Sequence, residues 1–115
     1  MLADLEAATI DDVARAFAAV LLAGDRTAEL TQIEAYLHAA RGAGLRGAVA
    51  DAMADFEAAA EAALRHAGAK DPAAGARRFM ALSDGFVLQH LANPRPDDEA
   101  ELEAALRALF LGGQI

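Results

Sequence analysis

Three histidines, a single serine and a glycine-rich hexapeptide are the places where this sequence holds residues that carry chemistry. His38, His66 and His90 show no i, i+4 pairing with one another, so no helix face offers two imidazoles to a metal. His66 falls in the last turn of a predicted helix, where an imidazolium suits the negative end of the dipole. Glu34 and His38 are i, i+4 neighbours, a spacing commoner for surface pairs than for ligand sets. Ser83 sits beside Asp84 in an apolar helical stretch, with no strand-to-helix elbow around it and no histidine placed by spacing as its base. A hydrogen bond to neighbouring backbone, or to a partner helix, is the plainer role for that pair. Gly42-Ala43-Gly44-Leu45-Arg46-Gly47 matches G-x-G-x-x-G, but a dinucleotide site needs a preceding strand and a βαβ unit. Here a helical pattern precedes it, and the glycines read as a break between two helices. No cysteine is present, which removes disulfide and thiol chemistry and fits a cytoplasmic location.

The elements that hold these residues are helices. Hydrophobic residues make up 56% of the 115 positions, and alanine supplies about half of that share. Leu, Glu and Arg fill most of the rest, and β-branched residues are sparse, so the composition favours an all-α domain spanning residues 1–115. Punctuation and periodicity divide it into five helices. The first runs from about Ile10 to Ala23 behind a Thr9 cap, with Ile10, Val13, Phe17 and Leu21 as its buried stripe. The second, about Thr27 to Arg41, carries Leu30, Ile33, Leu37 and Ala40 on one face. The third, about Leu45 to His66, has the stripe Leu45, Val49, Met53, Phe56, Ala60, Ala63 and Leu64, with Gly68 as a stop. The fourth starts with Asp71 as cap and Pro72 in the first turn, and ends near Leu91 before Asn93-Pro94. The fifth runs from about Asp97 to Leu111, stopped by Gly112-Gly113.

Charge narrows the partners. A net charge of −8 repels duplex DNA, and the nine arginines and one lysine form no basic stripe. No apolar run approaches the ~20 residues needed to span a bilayer, and the acidic start Met1-Leu2-Ala3-Asp4-Leu5-Glu6 is unlike a signal peptide. Helices four and five are apolar on more than one side. Phe79, Met80, Leu82, Phe86, Val87, Leu88 and Leu91 cover most of the fourth. The fifth has Leu102, Leu106, Leu109 and Phe110 on one side and Ala100, Ala104, Ala108 and Leu111 on another. A surface helix needs only one apolar face. The surplus predicts a second copy packed there, in a twofold four-helix interface; the alternative is that both helices are central in one copy. Candidate interface residues are Leu82, Gly85, Gln89, Ala100, Ala104, Ala108 and Leu111.

A family resemblance rests on the order of several passages. Tyr36-Leu37-His38-Ala39-Ala40-Arg41, followed by Leu45-Arg46, is similar to a recurring passage of TetR-type transcriptional regulators. Asp71 to Arg78, leading into Ala81-Leu82-Ser83-Asp84-Gly85-Phe86, resembles their penultimate helix, and Leu91-Ala92-Asn93-Pro94 precedes a Leu/Ala-rich last helix ending in Gly-Gly. The similarity runs from about Ile10 to Gly113. The resemblance implies a ligand-binding and dimerisation domain: a five-helix bundle whose last two helices pair with another copy, while the preceding helices enclose an apolar pocket. The family's amino-terminal helix-turn-helix domain is absent from these residues, so DNA would be reached only through that missing part. The chain then reads as a fragment of a longer regulator, or as a stand-alone sensor.

For a small, apolar effector, Phe17, Tyr36, Met53, Phe56, Phe79, Phe86 and His90 are the pocket candidates, since such sites combine apolar walls with a few polar groups. Tyr36 and His90 are the sharper choices because each offers a polar contact. Phe17, Met53, Phe56 and Phe79 also lie on stripes that any five-helix bundle buries. No enzyme activity, metal or cofactor is expected. The alternative function is a helical dimerisation or protein-interaction module without a ligand.

Overall fold

Each helix is set by its own start and stop signals. The computed structural model describes residues 9–42 and 44–112; Ala43 of the glycine pattern, Gly113 of the closing pair and the acidic segment 1–6 lie outside them. Among the described residues the architecture is all-helical: α1 Ile10–Leu22, α2 Arg26–Arg41, α3 Arg46–His66, α4 Pro72–Ala92 and α5 Asp98–Gly112. At α1, Thr9 Oγ1 accepts from Asp12 N–H at 3.2 Å, and Asp12 Oδ2 accepts from Thr9 N–H at 3.1 Å. That reciprocal box satisfies two backbone donors, and the Thr9 hydrogen bonds hold the Asp12 carboxyl below its ordinary value. α2 begins one residue earlier than its apolar pattern predicts, because Asp25 Oδ1 caps Thr27 N–H at 3.2 Å. α4 has the cap and Pro expected of it, with Asp71 Oδ1 accepting from Ala74 N–H at 3.2 Å.

The end of α3 shows why Gly68 is a stop. Its φ is +84°, in the left-handed region that favours glycine. Gly68 N–H donates to Arg65 O at 3.1 Å and Ala69 N–H to Leu64 O at 3.0 Å. These two bonds make a Schellman motif, which satisfies carbonyls the last turn would otherwise leave open. The chain then turns directly into the Asp71 cap of α4.

Packing concentrates on two helix pairs, α1 with α5 and α3 with α4, and α4 and α5 also meet. Val13, Ala14, Phe17 and Ala18 from α1 pack with Leu102, Leu106, Leu109 and Phe110 from α5, and Ala60, Ala63, Leu64, Ala76 and Phe79 complete the cluster. Three rings sit at its centre. The Phe17 and Phe79 centroids are 4.9 Å apart, and Phe110 meets Phe17 edge-on at 6.3 Å and Phe79 at 6.0 Å. Such tilted and edge-on pairs add about 0.5–1.5 kcal/mol each beyond burial.

Two predicted stripes are not buried as expected. On α2 only Ala39 is buried, while Leu30 and Leu37 are exposed, Leu37 by 50%. On α3 the carboxy-terminal Ala60, Ala63 and Leu64 are buried, but Leu45, Met53 and Phe56 are exposed, Phe56 by 63%. The reason is tertiary. α2 packs only lightly against α3 and α4, and the large residues in the amino-terminal half of α3 stay exposed. Arg46 Nε donating to Ala39 O at 3.3 Å ties α2 to the start of α3 with a polar bond.

The α4–α5 corner is locked by charge. Asp98, the first residue of α5, is only 3% exposed. Its Oδ2 accepts from Arg95 N–H at 2.9 Å and contacts His90 Nδ1, while Arg95 Nε lies 3.4 Å from Oδ1. The His90 hydrogen bond, followed by that of Arg95, holds the Asp98 carboxyl below its ordinary value. Arg107 Nε lies 2.9 Å from Asp11 Oδ1, a charge contact rather than a directed hydrogen bond, and its Nη2 donates to Glu103 at 2.7 Å. This Arg fastens α5 to the start of α1.

Two outcomes follow. Leu106→Ala, at a fully buried site, lowers stability in urea unfolding by about 2–5 kcal/mol, whereas Leu37→Ala stays within about 0.5 kcal/mol; equal losses would contradict this core. Because Asp98 has a depressed folded value, its stabilisation is complete above the unfolded carboxyl value, about pH 4, and is lost as pH falls through the folded one. Asp12 adds a decline in the same window. Asp98→Asn therefore has lower stability at neutral pH and a shallower decline in acid, read from unfolding midpoints between pH 6 and pH 2.

Candidate functional site

The sequence-predicted pocket residues do not converge on one cavity. Phe17 and Phe79 are core residues whose edges reach a shallow apolar groove of about 110 Å³, where Val20, Leu21, Phe56, Ala59 and Ala60 also line. Met53 is exposed on α3 outside that groove. Phe86 is half-buried against the core cluster. His90 is occupied by Asp98 at the α4–α5 corner, which accounts for its place on an apolar helix without a ligand. Tyr36 lies apart from all of these, in a second and larger groove.

That second groove has a volume of about 300 Å³ and lies between α1, α2 and α4. Its apolar walls are Leu21 from α1, Ile33 and Leu37 from α2, and Val87 and Leu88 from α4. Leu21 lines both grooves, so they are neighbours across one α1 side chain. The polar groups are Glu29, Gln32, Tyr36 and Asp84. Helical spacing explains their gathering: Glu29, Gln32, Ile33 and Tyr36 recur at i, i+3, i+4 and i+7 and face α4 together.

Tyr36 and Asp84 give the groove its electrostatics. Tyr36 Oη accepts a hydrogen bond from Gln32 Nε2 at 2.7 Å, which leaves the phenol proton free to donate. Burial raises the Tyr36 phenol above its ordinary value, and the negative charge of Asp84 raises it further. Burial also pushes the Asp84 carboxyl up, with no offsetting partner. Among the described residues Asp84 makes no hydrogen bond or ion pair, so its carboxylate does not supply the hydrogen bond expected of the Ser83–Asp84 pair. Gly85, an interface candidate, is exposed within this chain, and a Cβ there would meet nothing within 4 Å. It lines the groove. A close helix approach occurs at Gly75, where a Cβ would lie 3.2 Å from Leu64 Cδ1.

Ser83 is only 3% exposed and its Oγ has no hydrogen-bond partner among the described residues, so the bond to neighbouring backbone or to a partner helix is not seen in the single chain. The sequence reading missed Asp84, Gln32 and Leu21 as groove residues. Only the α2 periodicity pointed toward Gln32, since it places residues 29, 32, 33 and 36 on one side.

The predicted interface residues lie outward in the single chain. Gly85 and Gln89 on α4, and Ala100, Ala104, Ala108 and Leu111 on α5, are all exposed, with Leu111 at 60%. Leu82 is half-buried and packs against the core cluster. The apolar surplus of these helices is smaller than the sequence suggests, because Phe79, Leu91, Leu102, Leu106, Leu109 and Phe110 are spent in the core. What remains outside is mainly small side chains, with Leu88 and Leu111 as the large ones. Among the described residues no helix is long and apolar enough to cross a membrane.

No curated protein and no solved structure matches this chain. A family model does, over residues 8–112, and its description is Tetracyclin repressor-like, C-terminal domain. The match takes in all five helices, both grooves and the α4–α5 corner, and the chain belongs to this TetR-like C-terminal domain family.

Proposed function

We propose that this chain is the ligand-sensing and homodimerisation domain of a TetR-type transcriptional regulator, and that it is not an enzyme. The observation that carries the sensing half is the α1–α2–α4 groove, where apolar walls meet a phenol, an amide and two carboxylates. A small-molecule site needs that combination: apolar area for affinity and a few polar groups for orientation. The groove's polar residues lack the nucleophile–base geometry of a catalytic site, and Ser83 is buried.

The dimer is supported by the outer faces of the last two helices. Ala81, Gly85, Gln89 and Ala92 share one side of α4, with Gly85 at the edge shared with the groove, and Ala100, Ala104, Ala108 and Leu111 one side of α5. Small residues let helices pack closely, and a twofold axis brings the same faces together twice. The net charge of −8 gives the domain no electrostatic hold on phosphate, so operator contact is assigned to a helix-turn-helix domain outside these residues.

Sedimentation equilibrium tests the assembly. The chain sediments as a dimer at micromolar concentration, and Ala104→Glu weakens the dimer at least about tenfold by placing like charges together across the axis. Its circular dichroism stays helical, because Ala104 is exposed in the single chain. A monomeric parent chain would overturn the dimer reading. Ligand binding is read separately, as a rise in melting temperature with apolar compounds, since binding to the folded state stabilises it.

A further inference from the structure

Asp84 is a carboxylate that this fold places in a largely apolar groove, without a counter-ion among the described residues. Leu21, Ile33, Leu37, Val87 and Leu88 line the same groove, and among the described residues no Arg or Lys lines it. Glu29, the other acidic residue there, lies over the start of α2, where its Oε1 would be 2.5 Å from a Cβ on Gly24. The two carboxylates give the groove one sign of charge. The Tyr36 phenol completes the setting, with its oxygen already engaged by Gln32.

Taking the groove as the effector site of the reading above, we infer that it selects lipophilic cations: an ammonium centre carried on a compact apolar body, paired with Asp84 and seated beside Tyr36. Three arguments support this class. A neutral apolar molecule filling the groove strips water from Asp84 and gives nothing back, which penalises binding. An anion meets Asp84 and Glu29 as like charges. A cation pairs with Asp84, and an aromatic ring within reach adds a further attraction. The volume of about 300 Å³ sits at the lower end of the range for small-molecule sites, so the body is small.

The test uses three probes of similar size and different charge on the intact chain: benzyltrimethylammonium, its neutral isostere neopentylbenzene, and phenylmethanesulfonate. Titration is followed by amide chemical shifts. The cation is expected to bind with shifts centred on Tyr36 and Asp84, and Asp84→Asn to weaken it about tenfold while tightening the neutral probe, whose binding no longer dehydrates a charge. Asp84→Glu, which keeps the charge, restores part of the lost affinity. The Asn variant removes the charge of a partly buried side chain and keeps its shape, so it folds. If the neutral probe binds as tightly as the cation and Asp84→Asn alters neither, selection for cations is overturned while the groove stands as a ligand site. If none of the three, nor a wider set of apolar compounds, perturbs residues of the groove, the sensing reading and this inference fall together.

Discussion

Everything in this structure hangs on the contact between its first and last helices. Alanine dominates the composition, and an alanine face offers little apolar area per residue. The few large side chains must therefore be concentrated, and they are: Val13 and Phe17 from α1 meet Leu102, Leu106, Leu109 and Phe110 from α5, with Phe79 closing the triangle of rings. The pairing joins the ends of the chain in sequence, and the Arg107–Asp11 contact fastens it on the polar side. The remaining elements are placed relative to it. α4 reaches the ring cluster through Phe79, α3 follows α4 through Leu64 and the alanines beside it, and α2 is left at the margin.

The helices were legible because their ends are written in local chemistry. Thr9, Asp71-Pro72 and Gly68 act through hydrogen bonds and backbone conformations spanning three or four residues, and no tertiary information is needed to see them. The burial of each stripe was a different matter. Leu37 and Phe56 repeat at helical spacing as faithfully as Phe17 and Leu106 do, yet they are exposed. Periodicity shows that a face is apolar; it does not show whether another helix lies against it. The choice was made by which helices carry bulky residues able to interlock, and α2 has no buried residue larger than Ala39.

The grooves were less legible for a related reason. Tyr36 stood out as the only tyrosine, and the structure places it in the larger groove. Asp84 was read as a packing residue, because its role depends on α2 lying across from it without supplying a cation, a fact set by three helices at once. His90 misled in the opposite direction. Its partner Asp98 is eight residues away, across a turn containing Pro94 and Pro96, so no helical spacing links the two. A carboxylate buried at a helix start looks the same in sequence as one in water.

The marginal seat of α2 has a consequence for how this domain would respond to its environment. A helix with no buried side chain larger than alanine, tied to α3 by a backbone bond from Arg46 and otherwise packed only through partly buried residues, belongs at the low end of the range of local opening energies. It is also the helix that forms a whole wall of the larger groove. Whatever fills that space supplies the interlocking surface that α2 lacks on its own, so occupancy and the ordering of this helix become one equilibrium seen from two sides. The domain's weakest element is thereby the one whose state an occupant changes most.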